Sequence, residues 1–155
     1  MDRQPVRYVG VSPYLYYEDA AAALDWLART FGFEEQVRWV DPDGVVQEAE
    51  IRAGDTVFQV CGCPGFWAER GVAGPLGQEN ILYVDDVDAH WANTRAAGAD
   101  PQDPEDKPYG VRAYGLKDPG GHSWVFWQRL TDTVELQPGW REIRGGQVTR
   151  EAVAT

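Results

Sequence analysis

Asp118-Pro119-Gly120-Gly121-His122-Ser123-Trp124-Val125-Phe126-Trp127-Gln128 reads as a tight turn that feeds a strand. Pro119 presets φ for the turn, and the two glycines tolerate positive φ. The run that follows is aromatic and β-branched, a composition suited to a pleated, half-buried surface. Side chains alternate across a strand. His122, Trp124 and Phe126 therefore share one face, and Ser123, Val125 and Trp127 the other.

A weaker echo lies 66 residues upstream, in Gly54-Asp55-Thr56-Val57-Phe58-Gln59-Val60-Cys61. The same offset pairs Gly32 with Gly98, Gly44 with Gly110, Pro42 with Pro108, Tyr17 with Tyr83 and Asp19 with Asp85. Most of these coincidences involve backbone-special residues, and the expected elements around them match. They indicate a duplicated module.

The first copy reads β-α-β-β-β. Val6 to Tyr17 is strand-like, with Ser12, Tyr14 and Tyr16 on one face and Pro13, Leu15 and Tyr17 on the other. Glu18-Asp19 opens a helix over Ala20 to Thr30, where acidic groups suit the dipole. Ala23, Leu24, Leu27 and Phe31 recur at helical spacing, and Gly32 ends it. Strands follow over Phe33 to Val40, Val45 to Ala53 and Thr56 to Cys61, the first two joined by the turn Asp41-Pro42-Asp43-Gly44. In the middle strand, Val46, Glu48 and Glu50 oppose Val45, Gln47, Ala49 and Ile51.

The second copy repeats the order. It has a strand from Glu79 to Asp85 and a helix from Val87 to Ala97 with Val87, Trp91 and Thr94 inward. A short strand near Ala99 to Gln102, a proline- and charge-rich turn, and strands over Gly110 to Lys117 and His122 to Gln128 complete it. The chain divides into modules at 7–63 and 79–130, a linker loop at 64–78 holding Phe66 and Trp67, and a tail at 131–155. Val134, Leu136, Trp140 and Ile143 would let part of that tail dock; its last ten residues are expected to be loose.

Composition narrows the function. A net charge of −11 opposes binding to nucleic acid, whose phosphates need Lys and Arg. No apolar run is long enough to span a membrane, and Met1-Asp2-Arg3-Gln4-Pro5 has no signal pattern, so a cytosolic protein is expected. Cys61 and Cys63 are too close for an ordinary disulfide and have no partners for a zinc site. They read as reduced thiols, Cys61 buried. Seven Trp and seven Tyr exceed what a small core needs, which points to a flat-walled pocket or an interface. No phosphate loop or nucleophile elbow is present.

Tyr14-Leu15-Tyr16-Tyr17 before Asp19-Ala20-Ala21-Ala22, then Phe31-Gly32-Phe33, Val84-Asp85-Asp86-Val87-Asp88, Ala97-Gly98-Ala99, Tyr109-Gly110-Val111-Arg112 and the Asp118 stretch come in a telling order. Over about Arg7 to Arg129 the chain resembles the vicinal oxygen chelate superfamily, most of all its glyoxalase and bleomycin-resistance branches. The resemblance implies an α+β fold in which two βαβββ modules form a cup-shaped curled sheet with helices outside. It also implies a homodimer, the cup being built within one chain or across two. Enzymes of that superfamily hold a divalent metal with four inward residues, and the motif carries these positions to Ser12, Gln59, Glu79 and Val125. Ser and Val are poor or impossible ligands for such an ion. The resemblance therefore implies the non-metal, binding branch, with no cofactor and no catalytic residue.

Under the cup reading, Leu15, Phe58, Val60, Leu82, Val84, Trp124 and Phe126 pack beneath the helices. The opposite faces supply a ligand site from Tyr14, Tyr16, Gln59, Glu79, Tyr83, Ser123, Val125 and Trp127, with Cys61 beside them. Trp39, Glu48, Glu50, Phe66, Trp67 and Arg112 extend its rim. The expected activity is sequestration of an aromatic or amphipathic small molecule, such as a cationic drug or antibiotic, by stacking on Tyr and Trp. The alternative is a metal-dependent lyase, isomerase or dioxygenase of the glyoxalase type, with Glu48 or Glu50 in a shifted register as ligand. A scaffold or regulatory dimer without a pocket is the third reading.

Overall fold

The computed structural model describes residues 5, 7, 9–70, 79–144 and 147–154. It divides into two compact units, Met1–Gln78 with Lys117–His122, and Glu79–Leu116 with Ser123–Thr155.

The first unit holds β1 (Tyr14–Tyr16), α1 (Ala20–Phe31), β2 (Glu34–Val40), β3 (Val46–Ala53), β4 (Thr56–Cys61) and α2 (Pro64–Arg70). Its sheet has the order β1-β4-β3-β2, with β1 parallel to β4 and the rest antiparallel. The expected strand from Val6 shrinks to three residues, Val6 and Tyr8 lying outside the described residues. Val9 and Val11 are exposed, so nothing there rewards extending the strand.

Asp19 caps α1 by accepting the Ala22 N–H at 3.0 Å, and Gly32 ends it at φ +74, a conformation that favours glycine. Ala23, Leu24, Leu27 and Phe31 are buried as their spacing predicts. The rings of Phe31, Phe33 and Phe58 continue this core in contact, Phe33 stacking on Phe58 at 6.1 Å. The alternation in β3 breaks once. Trp39 pairs with Glu48 but Val40 pairs with Val46, so Gln47 is an extra, bulged residue. Val46 thereby joins Ala49 and Ile51 in the core instead of sharing a face with Glu48 and Glu50. Residues read as the start of a linker loop form α2, with Pro64 at its first position, where a missing N–H does no harm. The remainder of the linker, 71–78, lies outside the described residues.

The turn Lys117–His122 belongs to this unit. Asp118 is 5% exposed and organises it. One carboxylate oxygen accepts the N–H groups of Gly120 and His122 at 2.9 and 3.0 Å; the other accepts the Tyr17 hydroxyl at 2.5 Å. Burial, then the Asp118 charge, raises the Tyr17 phenol and keeps it a donor. A Cβ on Gly120 would come within 2.5 Å of the Tyr17 ring, so this close approach requires glycine. His122 is half-buried, its Nε2 donating to the Tyr16 carbonyl at 2.8 Å.

The second unit holds β5 (Asn80–Tyr83), α3 (Val87–Ala96), β6 (Glu105–Lys107), β7 (Val111–Lys117), β8 (Ser123–Arg129), β9 (Arg141–Arg144) and β10 (Gln147–Glu151). The sheet order β5-β8-β7-β6 repeats that of the first unit, β5 being parallel to β8. The helix cap is Asp86, accepting the Ala89 N–H at 3.0 Å, so the repeat slips by one residue from the expected Asp19–Asp85 pairing. Val87 and Thr94 are buried as expected, whereas Trp91 is only half-buried and donates its indole N–H to the Gln102 carbonyl at 3.1 Å. The strand expected at Ala99 to Gln102 is absent. The edge strand is instead β6, inside the stretch read as a turn, pairing Glu105 with Ala113 and Lys107 with Val111. The tail corrects a further expectation: β9 and β10 pair as an antiparallel hairpin. No helix among the described residues is long and apolar enough to cross a membrane.

Candidate functional site

Alternation along β8 turns Trp124 and Phe126 into the core and leaves Val125 and Trp127 on the opposite, half-buried face. Beside them β7 contributes Ala113, with only a methyl group, and Gly115, with no side chain, which leaves room above the sheet. The segment from Gln102 to Lys107, which includes the three-residue edge strand β6, supplies Gln102, Asp103, Glu105 and Lys107 as one wall. The result is a cleft of about 360 Å³ within the second unit.

Val125, Ala113 and Gly115 form the floor, and Trp127 and Tyr109 form an aromatic wall with ring centroids 5.4 Å apart. Tyr83 meets Trp127 edge-on at 5.9 Å from outside the cleft and is 61% exposed. The polar groups are mainly acidic. Glu79 accepts the Ser123 hydroxyl at 3.3 Å, Glu105 pairs with Lys107 at 2.9 Å, and Asp103 joins them. The Glu105–Lys107 pair holds the carboxyl below and the ammonium above their ordinary values.

Behind the floor a polar cluster fixes β7 to α3. The buried Tyr114 hydroxyl lies 2.8 Å from Thr94 Oγ1 and 2.5 Å from His90 Nδ1. Burial pushes the Tyr114 phenol up to about 12 and lowers the His90 imidazole, so both are neutral at pH 7. Trp91 on the same helix anchors the Gln102 carbonyl and so steadies the wall.

Of the residues singled out in the sequence, Glu79, Val125 and Trp127 line this cleft, with Ser123 and Tyr83 in contact with them. Arg112 does not line it; its guanidinium is held by Asp88 and Asp106, each at 3.0 Å. The rest belong to the first unit. There Tyr16, Cys61, Glu48 and Trp39 lie in one row across β1, β4, β3 and β2, and Tyr14, Gln59, Glu50 and Val37 in the next. The Tyr14 hydroxyl reaches both Glu48 oxygens at 2.5 and 2.6 Å; burial, then bonding to Glu48 and Cys61, raises its phenol. Phe66 and Trp67 ride on α2, which packs beside β1. Tyr109, Gln102, Asp103, Glu105 and Lys107 escaped the sequence reading, because a turn and a charged edge strand carry no alternation to read.

Of the positions to which the family resemblance carries metal ligands, one in each unit offers no suitable donor. Val125 has no lone pair, and Ser12 already donates its hydroxyl to the Val57 carbonyl at 2.5 Å.

The profile of the Glyoxalase/Bleomycin resistance protein/Dioxygenase superfamily matches residues 7–126. An uncharacterized protein of Mycobacterium bovis is 32% identical over 130 residues, which cover 79% of this chain and 84% of that protein. Among solved structures, TioX from Micromonospora sp. ML1 is 34% identical with a TM-score of 0.61, covering 78% of this chain and all (100%) of TioX. TnmS3, an antibiotic binding protein from Streptomyces sp. CB03234, is 21% identical with a TM-score of 0.58, covering 80% of this chain and 99% of TnmS3. Lactoylglutathione lyase from Agrobacterium tumefaciens is 22% identical with a TM-score of 0.59, covering 81% and 96% of the two chains. The last two likenesses speak to fold alone. The chain belongs to the Glyoxalase/Bleomycin resistance protein/Dioxygenase superfamily.

Proposed function

We propose that this chain is a small-molecule binding protein of the bleomycin-resistance kind, which sequesters its ligand without a resident metal. The fold does not choose between binding and catalysis, since its neighbours include both an antibiotic binding protein and a lyase. The residues favour binding. One observation carries the reading: a single cleft is lined by the aromatic pair Trp127 and Tyr109, the small or apolar residues Ala113, Gly115 and Val125, and the carboxylates Glu79 and Asp103. Flat aromatic faces beside small residues suit a planar aromatic ring, and the carboxylates suit a cationic substituent. The donor set at Ser12, Gln59, Glu79 and Val125 supports the same reading, because sequestration needs neither metal nor base. A cytosolic homodimer is part of the proposal, and sedimentation velocity would check the dimer.

Calorimetric titration with a panel of planar cationic aromatics tests the function. Binding in the presence of chelator, weakened by about 1–3 kcal/mol in Trp127→Ala, is the expected outcome. Binding that appears only with added divalent ion would favour the metal-dependent lyase, isomerase or dioxygenase reading.

A further inference from the structure

The cleft lining offers three carboxylates to a cationic ligand, and they differ in what already occupies them. Glu105 is paired with Lys107 at 2.9 Å, and Glu79 accepts the Ser123 hydroxyl at 3.3 Å. Asp103 has no hydrogen bond or ion pair among the described residues. A carboxylate already bonded to an ammonium attracts a second cation less than an unpaired one does.

The backbone that carries Asp103 is held from several sides. Pro101 and Pro104 are buried, whereas Gln102 and Asp103 between them are exposed. Each proline ring locks its own φ, and burial pins both ends of this short segment. Trp91 of α3 donates its indole N–H to the Gln102 carbonyl at 3.1 Å, one residue before Asp103. Arg112 of β7 fastens the wall further along. Its Nε and Nη2 donate to Asp88 of α3 at 3.0 to 3.2 Å, and its Nη1 donates to Asp106 of β6 at 3.0 Å. Glu105 and Lys107 line the cleft, and Asp106 between them falls on the other face of the strand. Exposed ion pairs add little to global stability, so the consequence of this clamp is where the wall stands.

We propose that Asp103 receives the cationic group of the ligand, and that Trp91 and Arg112 are positioning residues that hold its wall in place from α3. A wall fixed before the ligand arrives spares the cost of ordering it on binding. This deepens the binding reading and rests on it for the ligand, though not for the role of α3.

Two fluorescent planar probes test the assignment, cationic proflavine and neutral acridone, each titrated in the presence of chelator. The quantity read is the preference for proflavine over acridone. Asp103→Asn is expected to lower that preference about tenfold, the scale of one lost charge-assisted contact. An unchanged preference in a protein that still binds proflavine would overturn the assignment and leave the binding reading standing. If the intact chain binds neither probe, the assignment falls together with that reading.

Hydrogen exchange, read by mass spectrometry on the ligand-free chain, tests the positioning separately. Trp91→Phe keeps an aromatic ring beside Arg95 but loses the N–H, and Arg112→Gln loses the clamp. Each should speed exchange across residues 102–107 without shifting the Tm, and each should lower the probe preference about threefold, with Arg112→Lys recovering part of the loss. Unchanged exchange at 102–107, or faster exchange spread over the whole second unit, would overturn the positioning role.

Discussion

The two βαβββ modules share a sheet order and differ in what they put on each side of the sheet. Beneath α1 the first module is mostly apolar, with Ala23, Leu24, Leu27 and Phe31 buried beside one polar residue, Thr30. Beneath α3 the second buries Val87 and Thr94 and substitutes the Tyr114–Thr94–His90 cluster for aliphatic packing. The outer strands differ too: β2 has seven residues, while β6 has three and borders the cleft. Duplication has kept the features that specify backbone path, and the two copies have diverged where side chains meet a core or a ligand.

The sharpest test of that contrast lies in the turns. Asp118 is buried and accepts three hydrogen bonds, whereas Asp55 in the corresponding turn of the first module is exposed. Asp118→Ala is expected to destabilise the protein by about 3–4 kcal/mol, because it orphans buried donors. Asp55→Ala should stay within about 0.5 kcal/mol. Equal losses in urea unfolding would erase the distinction.

The helix undersides give the next effect. Leu24→Ala leaves a cavity in a fully buried site and should cost about 3 kcal/mol. Thr94→Val removes one hydrogen bond to Tyr114 at nearly constant volume and should cost about 1 kcal/mol. A reversal of that order would show that the polar cluster, not the aliphatic core, is the stronger fastening.

The smallest effect is on pH. Burial lowers His90 below its ordinary 6.5, so the folded state favours neutral imidazole. Between the lowered value and 6.5 the unfolded chain binds more protons. His90's contribution is therefore complete above that window and is lost as pH falls through it. His90→Gln should flatten the decline in unfolding free energy between neutral and mildly acidic pH. An unchanged pH profile would remove His90 from the account.

Much of the path was legible because turn and cap chemistry is local. Asp19, Gly32 and the alternation of Phe58 and Val60 against Gln59 each act through their immediate neighbours, and each does in the structure what the sequence implies. The bulge at Gln47 and the slip from Asp85 to Asp86 were not legible, since register is settled by pairing across strands. Glu105-Asp106-Lys107 has no apolar residue to betray an edge strand, so β6 and the cleft wall it carries were misread. Two signals were present and unused. Pro64 marks a helix start, and Gly145-Gly146 between alternating residues suggests a hairpin. At the site, strand periodicity placed Trp127 and Val125, whereas Tyr109 comes from a turn whose position depends on β6 pairing with β7.

The proposed function requires that the cleft in the second unit bind a flat cationic molecule without metal. The most direct test follows the tryptophan indole N–H resonances by NMR as a planar cationic aromatic is added in the presence of chelator. A saturable shift of the Trp127 resonance is predicted. A Trp127 resonance that stays fixed while ligand binds, or that moves only when a divalent ion replaces the chelator, would contradict the account.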